Sequence, residues 1–167
     1  MPTKPTFKEP MLVDSSAVRE LFDQIMFQKV WRYYEPSVRH SVCGVICFEM
    51  YQSQKTMRRN TVLYDFDEWL RAKRLKYVCR DEWAARTAAK LSLAVQRDID
   101  NGLKDTTELK RLNNDILIAG LAISQNLTVF TEDKKDWNYL RQVVHRNIGD
   151  FPNQLRVAFK SDLMAGS

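Results

Sequence analysis

The sequence predicts an α/β fold in which a small parallel sheet lies between two layers of helices. Two short apolar runs, over 11–13 and 127–130, are bounded like buried strands. The segments 82–97 and 115–124 have apolar residues at helical spacing, and in 115–124 they lie on nearly every side. Because strands that alternate with helices form parallel sheets covered by helices, we expect three layers, α/β/α.

The length of 167 residues fits one domain with a sizeable core. We expect an extended lead-in over 1–10, which holds three of the five prolines, then one domain over 11–150. A C-terminal extension over 151–167 would pack on this domain or trail from it. The apolar runs are too short for a membrane span, and the first residues lack the apolar segment of a signal peptide. These features predict a cytoplasmic protein.

Local signals place the elements of the first half of the domain. The apolar run that ends at Asp14 predicts a strand, and Ser15 and Ser16 are good N-caps for a helix over 17–30. Pro36 interrupts the chain. After it we expect a short strand over 38–42, a helix over 43–55 and a segment over 62–78 that is either helical or loop.

The second half has stronger signals. The helix over 82–97 is closed by Asn101 and Gly102, and Asn113 and Asn114 cap the central helix over 115–124. A buried strand over 127–130 follows, and a further helix begins near Asp136.

Cysteine and histidine are too sparse for a zinc site or a disulfide framework. Cys43, Cys47 and Cys79 are the three cysteines, and they include no C-x-x-C pair. We interpret them as core thiols in a reducing compartment, with Cys43 and Cys47 on one helical face. The two histidines, His40 and His145, form no H-E-x-x-H motif.

Several acidic residues fall where ligands bind in parallel sheets. Asp14 ends a predicted strand, Asp115 opens the central helix, and Asp133 and Asp136 follow the second buried strand. The carboxyl ends of parallel strands and the starts of the following helices line one edge of the sheet. Glu49, which lies among apolar neighbours on its helix, can join that edge.

Each acid also has an ordinary structural interpretation. Asp115 and Asp136 could be first-turn acids that complement a helix dipole, Asp133 a turn residue, and Asp14 a helix cap. Glu49 could lie on the solvated side of an amphipathic helix. Their joint placement favours a shared site, where clustered carboxylates repel unless a cation is present. Oxygen ligands select Mg²⁺ or Mn²⁺, and such a site supports phosphodiester hydrolysis by metal-activated water.

Three segments in order resemble the PIN-domain family, and within it the VapC-type toxins of bacterial toxin–antitoxin pairs. They are MLVDSSAV (11–18), the acid within VICFEMYQ (45–52), and NNDILIAGLAISQNLTVFTEDKKDW (113–137). The resemblance covers about residues 11–150, and its third segment is the most specific. The sequence departs from the family pattern at Ser15-Ser16, where Thr-Asn is frequent, and at Trp137, where Phe is usual. Cys43 and Ile46 also stand where hydroxyl residues are common.

The resemblance implies a ribonuclease that depends on Mg²⁺ or Mn²⁺ and cleaves single-stranded or structured RNA. Ser16 and Thr131 match small polar positions that support the first and last acids of the site through hydrogen bonds. The resemblance also implies a cognate antitoxin that reaches into the acidic pocket, and a homodimer. The implied metal-binding and catalytic residues are Asp14, Glu49, Asp115 and Asp133, with Asp136 as the alternative fourth ligand.

The basic residues suit an RNA partner. The net charge is +5, and residues 71–80 hold five basic residues and no acid. Tyr77 could stack on a base, and Lys134 and Lys135 could hold the scissile phosphate. These charges could equally belong to solvated surfaces. Further basic residues precede this segment at Lys55, Arg58 and Arg59.

Two other functions remain open. A PIN-like module could bind RNA without cleaving it, although the intact acids argue against this. A deoxyribonuclease could use the same acidic site, because the metal chemistry also serves DNA. A dinucleotide-binding domain is excluded because no G-x-G-x-x-G motif is present.

Overall fold

A computed structural model of the chain describes residues 10–21, 40–57 and 75–159. These residues form two compact units. The second unit consists of 80–129 and 133–157. The first unit consists of the described residues within 10–79, together with 130–132 and 158–159.

Five parallel strands form one sheet in the described part of the chain. Leu12 lies opposite Ser41 in the pairing of the first two strands, and the second strand pairs with the third from His40–Leu75 to Cys43–Val78. The predicted α/β class and parallel sheet are therefore confirmed. The strands are β1 (Met11–Val13), β2 (His40–Cys43), β3 (Leu75–Val78), β4 (Thr128–Thr131) and β5 (Arg156–Phe159), in the order β3-β2-β1-β4-β5.

Helix α1 (Ser15–Leu21) begins earlier than the sequence predicts. The Asp14 side chain accepts a hydrogen bond from the Ser15 N–H at 2.8 Å, and the Asp14 carbonyl accepts one from the Val18 N–H at 2.8 Å. Asp14 therefore precedes the first turn, and the predicted N-caps Ser15 and Ser16 lie inside the helix. Most of the predicted helix over 17–30 lies outside the described residues.

Helix α2 (Gly44–Met57) follows β2 without a loop. Cys43 is the last residue of the strand, so the prediction that Cys43 and Cys47 share a helical face is wrong. Both thiols are buried, as expected of core cysteines, whereas Cys79 is exposed. A Cβ at Gly44 would lie 2.8 Å from Tyr77 Oη, the far end of an exposed side chain that can move aside.

Strand β3 corrects the prediction of helix or loop over 62–78, whose earlier residues lie outside the described part. Lys76 and Tyr77 are exposed and Val78 is buried. Because β3 is an edge strand, it lacks the continuous apolar run that marks buried parallel strands.

His40 is a buried histidine of β2, and 1% of its surface is exposed. Its Nδ1 accepts a hydrogen bond from the Met11 N–H at 3.3 Å, which fixes the neutral ring against β1. Burial lowers the pKa of His40 to about 4. The unfolded chain therefore takes up this proton at a higher pH than the folded chain does.

The stability contributed by neutral His40 should be lost as the pH falls from about 6.5, the ordinary histidine pKa, towards 4. We expect this residue to lower the free energy of unfolding by about 2 kcal/mol between pH 7 and 4.5. Asn can accept the Met11 bond without titrating, so urea denaturation of His40→Asn should show a smaller drop over this range. An identical drop in both chains would contradict this assignment.

The second unit is built mainly of helices. The central helix includes Asn113 and has no side-chain cap, which corrects its predicted start. The last helix follows Asp133 rather than starting near Asp136. The helix that begins at Glu82 matches its prediction, and the sequence does not indicate the short helix Glu108–Arg111. The helices are α3 (Glu82–Asp100), α4 (Glu108–Arg111), α5 (Asn113–Ser124) and α6 (Lys134–Arg146).

Helix α5 forms the centre of this unit, as predicted. All six residues from Ile118 to Ile123 are buried, and Gly120 faces Ala84 and Ala88 of α3. A Cβ at Gly120 would lie 2.6–2.8 Å from atoms of these two alanines. The two helices are therefore packed backbone against backbone. In the ranges that the structure describes, no helix has the length and apolar composition needed to cross a bilayer.

Candidate metal centre

Asp14 lies at the carboxyl end of β1 and is 4% exposed. Its backbone N–H donates to the Phe130 carbonyl of β4 at 2.9 Å. The position is thus set by the end of one strand and by its neighbour in the sheet. This is the edge at which the sequence predicts the acidic site.

The Asp14 carboxylate is held by several hydrogen bonds. Oδ1 accepts from the Ser15 N–H, while Oδ2 accepts from Thr131 Oγ1 at 2.8 Å and from Ser16 Oγ at 3.2 Å. The Ser16 hydroxyl also lies 3.2 Å from Thr131 Oγ1 and accepts from the Glu132 N–H at 3.2 Å. The two hydroxyl residues that the sequence assigns to support an acid therefore do contact Asp14.

Burial raises the pKa of Asp14, and the negative charge of nearby Glu49 raises it further. The hydrogen bonds from Thr131, Ser15 and Ser16 act in the opposite direction because they favour the ionised carboxylate. Glu49 is half-buried on α2. Two acids in each other's field at a buried position are costly, and a cation between them would remove that cost.

The donors around Asp14 fit a hard divalent cation. Carboxylate oxygens suit Mg²⁺ and Mn²⁺. The neighbouring Cys43 thiol would be a soft ligand only as a thiolate, but burial raises its pKa, as do the charges of Asp14 and Glu49. Within residues 10–21, 40–57 and 75–159, no three His, Cys, Asp or Glu side chains are gathered into a complete metal-binding group. The four-carboxylate set therefore stays a prediction.

The other predicted acids belong to the second unit. Asp115 is half-buried in the first turn of α5. Asp133 is the N-cap of α6, where its Oδ1 accepts from the Asp136 N–H at 3.1 Å. Asp115 has the first-turn position that the sequence left open as its ordinary role, whereas Asp133 is a helix cap and not the turn residue that the sequence offered. Acids stabilise helix N-termini in both places. Neither role prevents a carboxylate from binding a cation with its other lone pairs.

Asp136 is committed to an ion pair. The Arg111 guanidinium donates to both of its carboxylate oxygens, through Nη1 to Oδ2 and through Nη2 to Oδ1 at 2.8 Å. Arg111 also pairs with Glu108 at 2.7 Å. The hydrogen bonds from Arg111 lower the pKa of Asp136. This pair favours Asp133 over Asp136 as the fourth metal ligand.

Sequence reasoning missed Arg111. The only local signal was the i, i+3 spacing of Glu108 and Arg111, which is common on helix surfaces. Its contact with Asp136 joins residues 25 positions apart in the chain, and this depends on the fold.

Asp133→Asn and Asp136→Asn should have opposite effects on stability and on RNA cleavage. Asn is as good an N-cap as Asp, so Asp133→Asn should leave the stability nearly unchanged while removing a carboxylate charge from the predicted metal site. Asp136→Asn should lower the free energy of unfolding by about 1–2 kcal/mol, between the values for exposed and buried ion pairs, because Arg111 is partly exposed. Urea denaturation and RNA cleavage assays separate the two profiles. A stable Asp136→Asn chain that cannot cleave would make Asp136 the ligand.

Parts of the predicted basic surface can be placed. Lys76 and Tyr77 are exposed on β3, and Lys134 and Lys135 are exposed in the first turn of α6. Arg58, Arg59 and residues 71–74 lie outside the described residues, as does the Lys55 side chain. The availability of Tyr77 for stacking therefore stays a prediction, as does a continuous basic patch.

No family model and no curated protein matches the sequence. The fold, however, resembles chains in three solved structures. The crystal structure of DNA-bound VapBC from Salmonella typhimurium matches with a TM-score of 0.60 over 90% of this chain and 97% of that one, at 15% identity. The chain has a PIN-like fold.

Two further structures match equally well. VapBC2 from Rickettsia felis, bound to a DNA fragment from its promoter, matches with a TM-score of 0.59 at 16% identity, over 89% of this chain and 97% of that one. VapBC-1 from nontypeable Haemophilus influenzae matches with a TM-score of 0.61 at 15% identity, over 89% and 96%. The fold expected from the resemblance to VapC-type toxins is therefore confirmed, while the activity is a matter of the site residues.

Proposed function

We propose that the chain is the toxin of a toxin–antitoxin pair and that it cleaves RNA with the help of Mg²⁺ or Mn²⁺. The observation that carries this proposal is the buried Asp14 carboxylate, which ends a parallel strand, is oriented by Thr131 and Ser16, and lies in the field of Glu49. The fold shared with chains of VapBC structures supports the same function.

In this proposal the cation is held by Asp14, Glu49, Asp115 and Asp133. Bound Mg²⁺ or Mn²⁺ would make water a better nucleophile and offset the charge that develops on the phosphate. Thr131 and Ser16 keep the Asp14 carboxylate in one orientation, so that it need not reorganise when it binds a cation. Lys134 and Lys135, exposed in the first turn of α6, would attract and orient the scissile phosphate.

The proposed partners are RNA as substrate, a cognate antitoxin and a second copy of the chain. The antitoxin would place a basic side chain among the carboxylates, because such a group can replace the cation electrostatically. The neighbouring gene is a direct test of this partner. A small upstream reading frame with a DNA-binding N-terminal segment would support it.

The activity can be tested with the purified chain and a labelled RNA of mixed sequence. We expect cleavage with Mg²⁺ or Mn²⁺ and none with EDTA, and restored cleavage when excess metal is added back. DNA of the same sequence should be spared. Cleavage that persists in EDTA would contradict the metal-dependent mechanism, and preferential cleavage of DNA would favour the deoxyribonuclease.

A further inference from the structure

The second unit contains a groove of about 740 Å³ along one side of α6. Four cationic side chains line it, Lys104, Lys135, Arg141 and Arg146, together with a single carboxylate, Asp98. A groove with this balance of charge attracts anions.

The carboxylate in the groove is already neutralised. Asp98 is 9% exposed and accepts hydrogen bonds from Arg146 Nη2 at 2.7 Å and from the Tyr139 hydroxyl at 2.9 Å. The Arg146 contact is a salt bridge. Arg146 and Asp98 therefore cancel each other, and the charge presented to a ligand comes from the other cations.

The other three cations have no such partner. Among the described residues, no salt bridge is formed by Lys104, Lys135 or Arg141. Lys104 Nζ lies 4.1 Å from the centre of the Tyr139 ring, and Arg141 donates to the neutral Asn138 side chain at 2.8 Å. Neither contact cancels the positive charge.

The groove is placed to lead a strand towards a proposed metal ligand. Lys135 is in the first turn of α6, two residues after its N-cap Asp133, and Arg141 lies six residues further along the same helix. At about 1.5 Å per residue, these two cations follow the helix for about 9 Å. Lys104 covers one face of the Tyr139 ring, so that face is closed to a stacking base.

We propose that this groove binds the sugar–phosphate backbone of single-stranded RNA, through Lys104, Lys135 and Arg141 and without reading the bases. The proposal rests on the proposed ribonuclease function, since it assigns the path of that enzyme's substrate. An acidic protein segment is disfavoured because the groove extends from the start of α6, where a cleavable phosphate would be needed.

RNA binding in EDTA tests this path without requiring catalysis. We would measure the fluorescence anisotropy of a labelled oligouridylate at several salt concentrations. The groove variant is Lys104→Gln/Lys135→Gln/Arg141→Gln. The matched control, Lys90→Gln/Arg97→Gln/Lys110→Gln, removes the same charge from exposed positions of α3 and α4 that do not line the groove and that form no salt bridge among the described residues. The double variant Lys135→Gln/Arg141→Gln keeps the Lys104–Tyr139 contact if the triple variant folds poorly.

The groove variant should bind RNA about tenfold more weakly than the control at low salt. The slope of log affinity against log salt should be smaller by about 2, since three single-strand phosphate contacts contribute about 0.7 each. Equal affinities and slopes in the two variants would overturn the proposal. So would a wild-type groove that binds polyglutamate in preference to RNA, because that result assigns it to an acidic protein.

These results are independent of whether the chain cleaves RNA. An inactive chain that binds oligouridylate through the groove would contradict the proposed ribonuclease function. The assignment of the groove as an RNA-binding site would still hold. An active chain whose binding is unaffected by the groove variant would overturn the groove alone.

Discussion

Asp14→Asn should reduce metal-dependent RNA cleavage by more than about a hundredfold, because even the loss of a group that orients a metal ligand costs about ten- to a hundredfold. The substitution removes the charge that would bind the cation. It should leave the fold intact, since Asn can still accept the Ser15 N–H bond at the start of α1. Cleavage rates with Mn²⁺, together with thermal unfolding of both chains, measure the two effects.

Thr131→Val is the graded companion of this variant. It keeps the Asp14 carboxylate and deletes the 2.8 Å hydrogen bond that orients it. We expect the rate to fall by about ten- to a hundredfold, less than for Asp14→Asn. A folded Asp14→Asn chain with wild-type rates would remove Asp14 from the site, whatever Thr131→Val does.

Gly120→Ala should lower the free energy of unfolding by about 3 kcal/mol, at the upper end of overpacking costs. A Cβ there would meet the Ala88 Cβ at 2.6 Å, the Ala88 N at 2.7 Å and the Ala84 carbonyl at 2.8 Å. Two of these atoms are backbone atoms of α3, so the clash is relieved only if α3 and α5 move apart. Urea denaturation measures the loss.

Gly149→Ala is the matched control for this effect. A Cβ at Gly149 would have no neighbouring atom within 4 Å, so we expect a change within about 0.5 kcal/mol. A Gly120→Ala chain as stable as the wild type would show that the helices are not in the close contact described.

The sequence predicted the elements whose signals are local and strong. The apolar run before Asp14 and the residues of α5 gave a buried strand and a central helix, because burial on all sides leaves few polar residues. Edge strands were harder to predict. Strand β3 was not predicted as a strand, and no strand was predicted in the C-terminal stretch that contains β5. The first three residues of β5 are only half-buried, and the strand begins with the charged Arg156.

The sequence also could not show which of two neighbouring residues of similar chemistry takes a given structural role. Asp133 and Asp136 are both acids at the start of a helix, and only the fold brings Arg111 onto Asp136 and leaves Asp133 as the cap. Likewise, Ser15 has a good capping side chain, but Asp14 precedes the helix and accepts its first bond. For Asp14 itself the sequence predicted the strand end. The family resemblance assigned Ser16 and Thr131 to the first and last acids, whereas the fold brings both hydroxyls onto Asp14.

RNA cleavage by Asp115→Asn is the most direct test of the central claim that acids of this chain hold a catalytic divalent cation. The substitution changes one oxygen to an amide nitrogen in the first turn of α5, so the helix should persist. Wild-type protein and the variant would be compared with labelled RNA and Mn²⁺ at equal concentrations. We predict cleavage by the wild type and none above the EDTA background by Asp115→Asn. Equal cleavage by the two chains would contradict the claim.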